Sequence, residues 1–315
     1  LGYVAFSDTR VIGETPISPQ VLVDTRSELT WAGPVWLLPS LINSHDHLEF
    51  NTFPRLGDGP YADYRVWGRE IHERHAEVIQ KASTVPPELR AEVGVLRNLL
   101  AGVTAVVDHG ERPWRSRTVQ ILRDYRFAHA ADTHCIPWRA LLAGPGPEPF
   151  LLHAGEGTTD ESRRAVLRFL AANWSGRPVV GVHGVALRPG DFNHLAALVW
   201  CPVANANLLG AQPDVAAAEA ETCLLFGTDS TLSAVGDFWS QLRFAAAVAD
   251  VPPRDLLSLV TTRARHFWGA EEGATLVLRR WSEDVLDSRP EDVLLVTRGT
   301  DVLLADAELG LALSR

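Results

Sequence analysis

Short apolar runs alternate with helical stretches over most of the chain, and this alternation constrains the fold more than any other feature. The segments 87–100, 160–172 and 237–248 carry apolar residues at three- and four-residue spacing, which is typical of amphipathic helices. Strands that alternate with helices form parallel sheets. The sequence therefore predicts an α/β fold with a (β/α)8 TIM-like barrel. Seven runs have the composition of buried strands, beginning at Trp36, Thr104, Arg126, Pro149, Val179, Leu198 and Cys223.

The two ends of the chain differ from its centre. Short β-type runs occur at residues 21–23, 275–278, 292–296 and 301–305, separated by turn-forming residues. They predict a small β-sandwich domain formed from residues 1–37 and 271–315, with the barrel occupying residues 38–270. Such a barrel usually has about 250 residues. Because only seven barrel strands are clear, we expect the eighth between Trp138 and Pro149.

Composition and charge restrict the classes of partner. The 315 residues carry a formal net charge of -10, and no basic stretch is concentrated as phosphate binding requires, which argues against nucleic acid. No apolar run approaches the roughly 18 residues of a membrane span, and no signal segment opens the chain, so we expect a cytoplasmic protein. Cys135, Cys201 and Cys223 show no paired spacing and are expected to be free thiols.

Histidine and aspartate recur at the ends of the predicted strands. Five of the seven runs end on or beside one of these residues, and this type of barrel carries its chemistry at the carboxyl ends of its strands. His45 and His47 alternate along an extended segment, which directs both imidazoles to the same side. With His153 and Asp229, three nitrogens and one carboxylate could converge on one divalent ion. Such an ion lowers the pKa of a bound water from about 16 towards about 7.

Two further residues have catalytic interpretations. Glu156 follows His153 by three residues and could exchange protons with the attacking water and the leaving group. An isolated Glu in a loop is commonly only solvated, but the predicted ligand His153 nearby favours the catalytic interpretation. His183 could polarise the substrate or hold the hydroxide, and the alternative is a hydrogen-bonded core histidine. Asp229 is counted among both the ligands and the catalytic groups.

Four ordered motifs resemble the deaminase and chlorohydrolase branch of the amidohydrolase superfamily, which includes cytosine, guanine and adenosine-type deaminases and triazine hydrolases. The resemblance covers nearly the whole chain. It implies that His45, His47, His153 and Asp229 bind zinc or iron, that Glu156 shuttles protons and that His183 orients the water or leaving group. The motifs are Leu38-Pro-Ser-Leu-Ile-Asn-Ser-His-Asp-His, His153-Ala-Gly-Glu, Val182-His-Gly-Val and Phe226-Gly-Thr-Asp-Ser, with Trp200-Cys-Pro-Val-Ala-Asn between the last two.

The chain departs from this family at two places. Ser40 stands where glycine is usual, and Val203-Ala204-Asn205 replaces the commoner Arg-Ser-Asn, which leaves the substrate class open. Binuclear branches generally bridge two metals with a carboxylated lysine. Lys81, the only lysine, lies in a polar segment before the second strand, so we predict one divalent metal, with zinc first and iron as the alternative.

The resemblance and the ligand set together predict a hydrolytic deaminase acting on an N-heterocyclic small molecule. Hydrolysis of an amide, a ureido group or a carbon–halogen bond on a related ring is the alternative, and a non-catalytic scaffold is a third reading. A homo-oligomer is also possible. Candidate substrate contacts are Trp67, Arg69, His109 and Asn205, with Arg65 as a further planar-ring cap, although aromatic and arginine side chains in loops commonly serve packing or solvation.

Overall fold

A computed structural model describes residues 2–13, 20–25, 28–131 and 138–314. Its strands are Gly2–Val11 (β1), Gln20–Val23 (β2), Leu29–Pro39 (β3), Leu41–Asp46 (β4), Val103–Asp108 (β5), Gln120–Leu122 (β6), Arg126–Ala130 (β7), Phe150–Ala154 (β8), Val179–His183 (β9), Ala197–Trp200 (β10), Cys223–Phe226 (β11), Ala274–Arg279 (β12), Val293–Arg298 (β13) and Asp301–Ala305 (β14).

The helices alternate with the central strands and also follow the last strand. They are Tyr64–Arg74 (α1), Ala76–Ser83 (α2), Pro87–Leu100 (α3), Trp138–Ala143 (α4), Asp160–Ala171 (α5), Pro202–Leu209 (α6), Val215–Glu221 (α7), Phe238–Ala249 (α8), Pro253–Val260 (α9), Thr262–Trp268 (α10) and Ala307–Leu313 (α11). Asp237 caps α8 by accepting a hydrogen bond from the Ser240 N–H, and Thr159 caps α5 in the same way. The three helices predicted from periodicity are therefore present.

The central strands form the predicted parallel barrel. Strands β4, β5 and β6 make one parallel sheet, and β7 to β11 make a second in chain order. The first and last strands meet where the backbone N–H groups of Thr228 and Asp229 each donate to the His45 carbonyl at 3.1 Å. This junction needs Gly227, because a Cβ there would lie 2.7 Å from the His45 Cβ. Eight parallel strands thus surround one interior.

The predicted position of the eighth strand was wrong. Residues 138–143 form helix α4, and the additional strand is β6, at residues 120–122. Strand β6 has only three residues, and Arg123, Asp124 and Tyr125 separate it from β7. So short a strand leaves almost no periodic signal, and its apolar residues are continuous with those of the next run.

Both termini contribute to one small β domain, as predicted. Its six strands lie in the order β14-β13-β12-β3-β1-β2, with β1 and β3 parallel and the other neighbours antiparallel. Hydrogen bonding is continuous through all six strands, so the two termini share one sheet. Strand β3 continues to Pro39, and Ser40 alone separates it from barrel strand β4. The Ser40 hydroxyl lies 2.6 Å from the Thr104 hydroxyl on the neighbouring barrel strand.

The barrel strands have apolar residues on both faces. Phe150 and Leu152 belong to the cluster that packs against the surrounding helices, whereas Leu151 belongs to a second cluster with Val180 and Val199. Since successive side chains of a strand point to opposite faces, the second cluster lines the barrel interior. This interior supports the carboxyl ends of the strands, where the histidines lie.

Two further sequence expectations can be compared with the described residues. Cys201 and Cys223 form no disulfide, and Cys135 lies outside the described ranges. Among the helices of residues 2–13, 20–25, 28–131 and 138–314, none is long and apolar enough to cross a membrane.

Candidate metal centre

Histidine side chains from four barrel strands meet at the carboxyl end of the barrel. His45 at the end of β4 and His47 just after it have ring centroids 5.0 Å apart, so alternate positions do place both imidazoles together. His153 on β8 lies 5.1 Å from His45 and 5.0 Å from His183 at the end of β9. His109, which follows β5, lies 4.7 Å from His153. These distances describe one compact imidazole cluster.

The cluster has the composition and spacing of a metal site. Donor nitrogens of His45, His47, His109 and His153 all lie within 4.8 Å of one another. Within the part of the chain that is described, neither ring nitrogen of His45 has a hydrogen-bond partner, although His45 is completely buried. A buried polar group without a partner costs about 1–3 kcal/mol. A divalent cation would accept the lone pair of His45 and so remove the cost of one of these two nitrogens, and the residues therefore fit a metal ion.

Burial keeps these histidines in the form that binds metal. Desolvation lowers the pKa of His45, His109 and His153 well below the ordinary value, and neighbouring histidines lower it further. Burial also lowers the pKa of His183, against the opposing effects of Asp229 and Asn205. A neutral imidazole retains the lone pair that a cation requires.

Asp229 approaches the cluster from the loop after β11. Its Oδ1 lies 3.8 Å from His47 Nε2. The Ser230 N–H donates to Oδ1 at 2.8 Å, and the Ser233 hydroxyl donates to Oδ2 at 2.6 Å. The residue has a φ of 56°, a left-handed conformation that a non-glycine residue rarely adopts. This backbone turn and the two hydrogen bonds fix the carboxylate beside the histidines.

Glu156 lies between two of the histidines. Its Oε2 is 3.0 Å from His153 Nδ1, and its Oε1 is 3.7 Å from His183 Nε2. The His183 Nδ1 is 2.8 Å from Asn205 Oδ1, and the Asn205 amide Nδ2 donates to the His183 carbonyl at 3.5 Å. Because the amide oxygen only accepts, it favours the tautomer with hydrogen on Nδ1. His183 Nε2 is then an acceptor directed towards Glu156.

A buried amide network lies behind the two ligand-bearing segments. Asn43 Nδ2 donates to Thr228 Oγ1 at 2.7 Å, and the Thr228 N–H returns a bond to Asn43 Oδ1 at 3.1 Å. The Asp46 carboxylate accepts from Asn98 and Asn51, each at 2.8 Å. Burial raises the pKa of Asp46 to about 7, while both amide bonds oppose this shift. The network joins the His45–His47 segment to the loop that carries Asp229.

The candidate substrate contacts occupy different environments. The Trp67 indole N–H donates to the Leu56 carbonyl at 2.8 Å, so this side chain of α1 packs against the loop that precedes the helix. Arg69 is exposed on α1, and exposed Arg65 pairs with Asp63 at 2.7 Å. Asn205 is buried against His183, and His109 lies inside the imidazole cluster. The structure therefore brings His109 and Asn205 to the centre, while none of the described contacts joins Trp67 or Arg69 to it.

Sequence reasoning did not identify Asn43, Thr228 or Ser233 as parts of the site. Asn43 and Thr228 are two residues before His45 and one before Asp229, so polar residues beside predicted ligands were an available signal. Ser233 follows Asp229 by four residues, and its hydroxyl reaches the carboxylate only because the chain turns there.

Solved structures with similar folds cover almost the whole chain. An adenosine deaminase from Xanthomonas campestris with bound zinc has a TM-score of 0.70 and 16% identity, over 99% of this chain and 96% of its own. An atrazine chlorohydrolase from Arthrobacter aurescens, complexed with zinc and atraton, has a TM-score of 0.63 and 17% identity, over 99% and 98%. The Helicobacter pylori aminofutalosine deaminase, bound to methylthio-coformycin, has a TM-score of 0.62 and 11% identity, over 96% and 100%.

These comparisons establish the fold. The similar structures are deaminases and a chlorohydrolase, the same branch that the sequence motifs resemble. No protein-family model and no curated protein matches the chain. At this level of identity the shared architecture is secure, while activity rests on the chain's own site.

Proposed function

We propose that this protein is a metal-dependent amidohydrolase, and specifically a hydrolytic deaminase of an N-heterocyclic small molecule. The observation that carries the proposal is the buried cluster of imidazoles at the carboxyl end of the barrel, with Glu156 placed between His153 and His183. The zinc-bound deaminase and chlorohydrolase with the same fold support it. A cluster of this kind has no evident structural purpose, because burying unpartnered imidazoles destabilises a fold.

In this proposal His45, His47, His153 and Asp229 hold one divalent ion, zinc by preference and iron as the alternative. Imidazole and carboxylate ligands suit both metals. A bound ion of this type lowers the pKa of water to about 7 and so supplies a nucleophile at neutral pH. No lysine is positioned to bridge a second ion, since Lys81 lies on α2.

Glu156 is the proposed proton carrier. Its two oxygens lie near His153 and His183, so it can take a proton from the attacking water and deliver it to the leaving nitrogen. His183 is proposed to accept a hydrogen bond from that water through Nε2, since Asn205 occupies Nδ1. Both residues thereby orient the water towards an sp² carbon of the substrate ring.

The same groups also support a second reaction. Hydrolysis of an amide, ureido or carbon–halogen bond requires the same nucleophile and a proton for the leaving group, and the atrazine chlorohydrolase has the same fold. A scaffold without catalysis is disfavoured because all four predicted ligand positions are retained.

A direct test combines metal analysis with a substrate screen. Zinc-loaded and iron-loaded protein is incubated with purines, pyrimidines, pterins and triazines, and ammonia release is compared with chloride release. We expect one tightly bound metal per chain and ammonia release from one ring class, both lost in His47→Ala. A folded protein that binds no zinc or iron would contradict the proposal. Chloride without ammonia would favour the second reaction.

We also propose a cytoplasmic location, Trp67 and Arg69 as outer substrate contacts, and a boundary of the barrel at residues 38–270.

A homo-oligomer is supported by helix α3. One face of this helix carries an apolar stripe, whose exposed residues follow a heptad pattern and are Leu89, Val93, Leu96 and Leu100. Glu92 and Arg97 flank this stripe at the spacing at which side chains of two parallel helices form ion pairs with each other.

A further inference from the structure

His109 belongs to the four-imidazole group but not to the ligand set that the sequence motifs imply. Its ring stacks on that of His47, with centroids 5.5 Å apart and planes 17° from parallel. It also meets His45 at 5.3 Å and His153 at 4.7 Å, both edge-on. His109 is therefore as close to the three predicted imidazole ligands as they are to one another.

The donor spacing suits a shared ion. Nitrogens that are about 2.0–2.1 Å from zinc lie about 3.3 Å apart in a tetrahedral site and about 4.2 Å apart across an octahedral one. The four donor nitrogens lie within 4.8 Å of one another. Small side-chain movements are enough to bring all four to bonding distance of one cation.

The lone pair of His109 is also available. Both ring nitrogens of His109 are buried. The hydrogen bond to the Ala128 backbone that opposes the lowering of the His109 pKa engages only one ring nitrogen, and the other keeps its lone pair. Asp229 differs, because each of its carboxylate oxygens already accepts a hydrogen bond, from Ser230 and Ser233.

The surroundings hold His109 in this position. Its backbone N–H donates to the Asp46 carbonyl at 2.8 Å, which ties it to the segment between His45 and His47. The preceding Asp108 accepts bonds from the Leu48 N–H at 3.1 Å and from Arg123 at 3.0 Å. A residue whose own backbone and preceding side chain are both held in place is preorganised to act as a ligand.

We propose that His109 is a further protein ligand, so that the metal is held by four imidazoles and Asp229. This inference rests on the proposed metal-dependent function and replaces the predicted role of His109 as a substrate contact. Five protein donors would leave a position for water only on an ion that accepts six ligands, such as Fe²⁺, Co²⁺ or six-coordinate Zn²⁺.

The test counts imidazoles around bound zinc. X-ray absorption spectroscopy of the zinc-loaded full chain should give four imidazoles for the wild type and three for His109→Phe, which keeps an aromatic ring against Phe127 and His47. His129→Ala is the matched control. Its exposed ring lies 4.6 Å from His153 but is outside the four-imidazole group, so the count should stay at four.

Zinc affinity, measured by competition with a chelator, gives an independent readout. Loss of a residue that only supports a ligand lowers metal affinity by about 10–100-fold. Loss of a ligand itself should cost more, so we expect His109→Phe to lower zinc affinity by about 100-fold or more. Circular dichroism checks that each variant is folded, and His109→Gln replaces His109→Phe if that protein is unfolded. A count of three imidazoles in the wild type, or an unchanged zinc affinity in the folded variant, would overturn the proposed role of His109 but not the proposed metal-dependent function. A folded wild type that binds neither zinc nor iron overturns the proposed function as well.

Discussion

Asn205 Oδ1 lies 2.8 Å from His183 Nδ1, and this contact sets which nitrogen of His183 carries hydrogen. Asn205 belongs to helix α6, whereas His183 ends strand β9 with a φ of 73°. The helix that follows β10 therefore orients a side chain at the end of the preceding strand. Such a contact makes Asn205 a positioning residue for His183.

Replacing Asn205 with Ala should lower kcat by about 10–100-fold while metal content stays unchanged. The hydrogen bond that His183 Nδ1 donates to Asn205 opposes the lowering of the His183 pKa, so its loss should move that pKa further down. The pH–rate profile should consequently shift to lower pH on its acidic side. Asn207→Ala is the control, since Asn207 lies on the same helix and donates to the Ser233 carbonyl instead. An unchanged profile would show that Asn205 does not act through His183.

Replacing Glu156 with Gln should lower kcat by about 10²-fold or more and leave metal content nearly intact. Gln keeps the size of the side chain but cannot accept the proton of the attacking water. Metal analysis and steady-state kinetics on the same preparation separate the two effects. Glu161→Gln, at an exposed position of α5, should behave like the wild type. Near wild-type turnover by Glu156→Gln would require another proton carrier.

Replacing Asn43 with Ala should lower zinc affinity by about 10–100-fold and the free energy of unfolding by about 1–3 kcal/mol. The substitution removes both bonds to Thr228, and with them the connection between the His45 segment and the Asp229 loop. Thr228→Val removes only the hydroxyl contact and should have a smaller effect. Chelator competition and urea unfolding measure the two quantities. Equal effects of the two variants would mean that the backbone bond to Asn43 contributes little.

The parts of the site that the sequence predicted are those that depend on local periodicity. Alternation predicted that the imidazoles of His45 and His47 lie on one side, and strand order predicted that His153 lies at the same end of the barrel. Along β9, strict alternation would place His183 on the same face as Val179, which packs towards the helices. The positive φ of His183 turns its side chain to the site instead. Strand β6 was missed because three residues carry no periodic signal. The Asn43–Thr228 pair joins residues 185 positions apart, which no local pattern specifies.

Replacing Leu96 with Glu should convert a homo-oligomer into monomers. Leu96 is half exposed in the middle of the apolar stripe of α3, where a buried carboxylate would oppose association. Light scattering after size-exclusion chromatography measures the mass. Leu311→Glu, at an exposed position of α11, is the control and should keep the wild-type mass. A wild type that is monomeric at high concentration would exclude this interface.

The metal-free protein should lose stability as the pH falls from about 7.5 to 5.5. Burial lowers the pKa of His45, His109 and His153, so each binds fewer protons when folded than when unfolded. The contribution of these histidines to the stability of the folded protein is complete above their unfolded pKa of about 6.5, and it is lost as the pH falls below that value. Burial also lowers the pKa of His183, which adds to this loss. Asp46, whose pKa is raised to about 7, and Asp108, whose pKa burial also raises, act in the opposite direction, but they are two carboxyl groups against four histidines.

Thermal unfolding of chelator-treated protein at a series of pH values measures this dependence. The melting temperature should fall with pH, and the fall should be shallower for His45→Leu, because that variant has one fewer imidazole to protonate on unfolding. The comparison uses slopes within each protein, so a general change in stability caused by the substitution does not affect it. A melting temperature that is constant or rises between pH 7.5 and 5.5 would mean that the histidines are protonated in the folded metal-free protein. The protonated cluster would then have to be accompanied by anions or water, which a cluster of neutral imidazoles does not require.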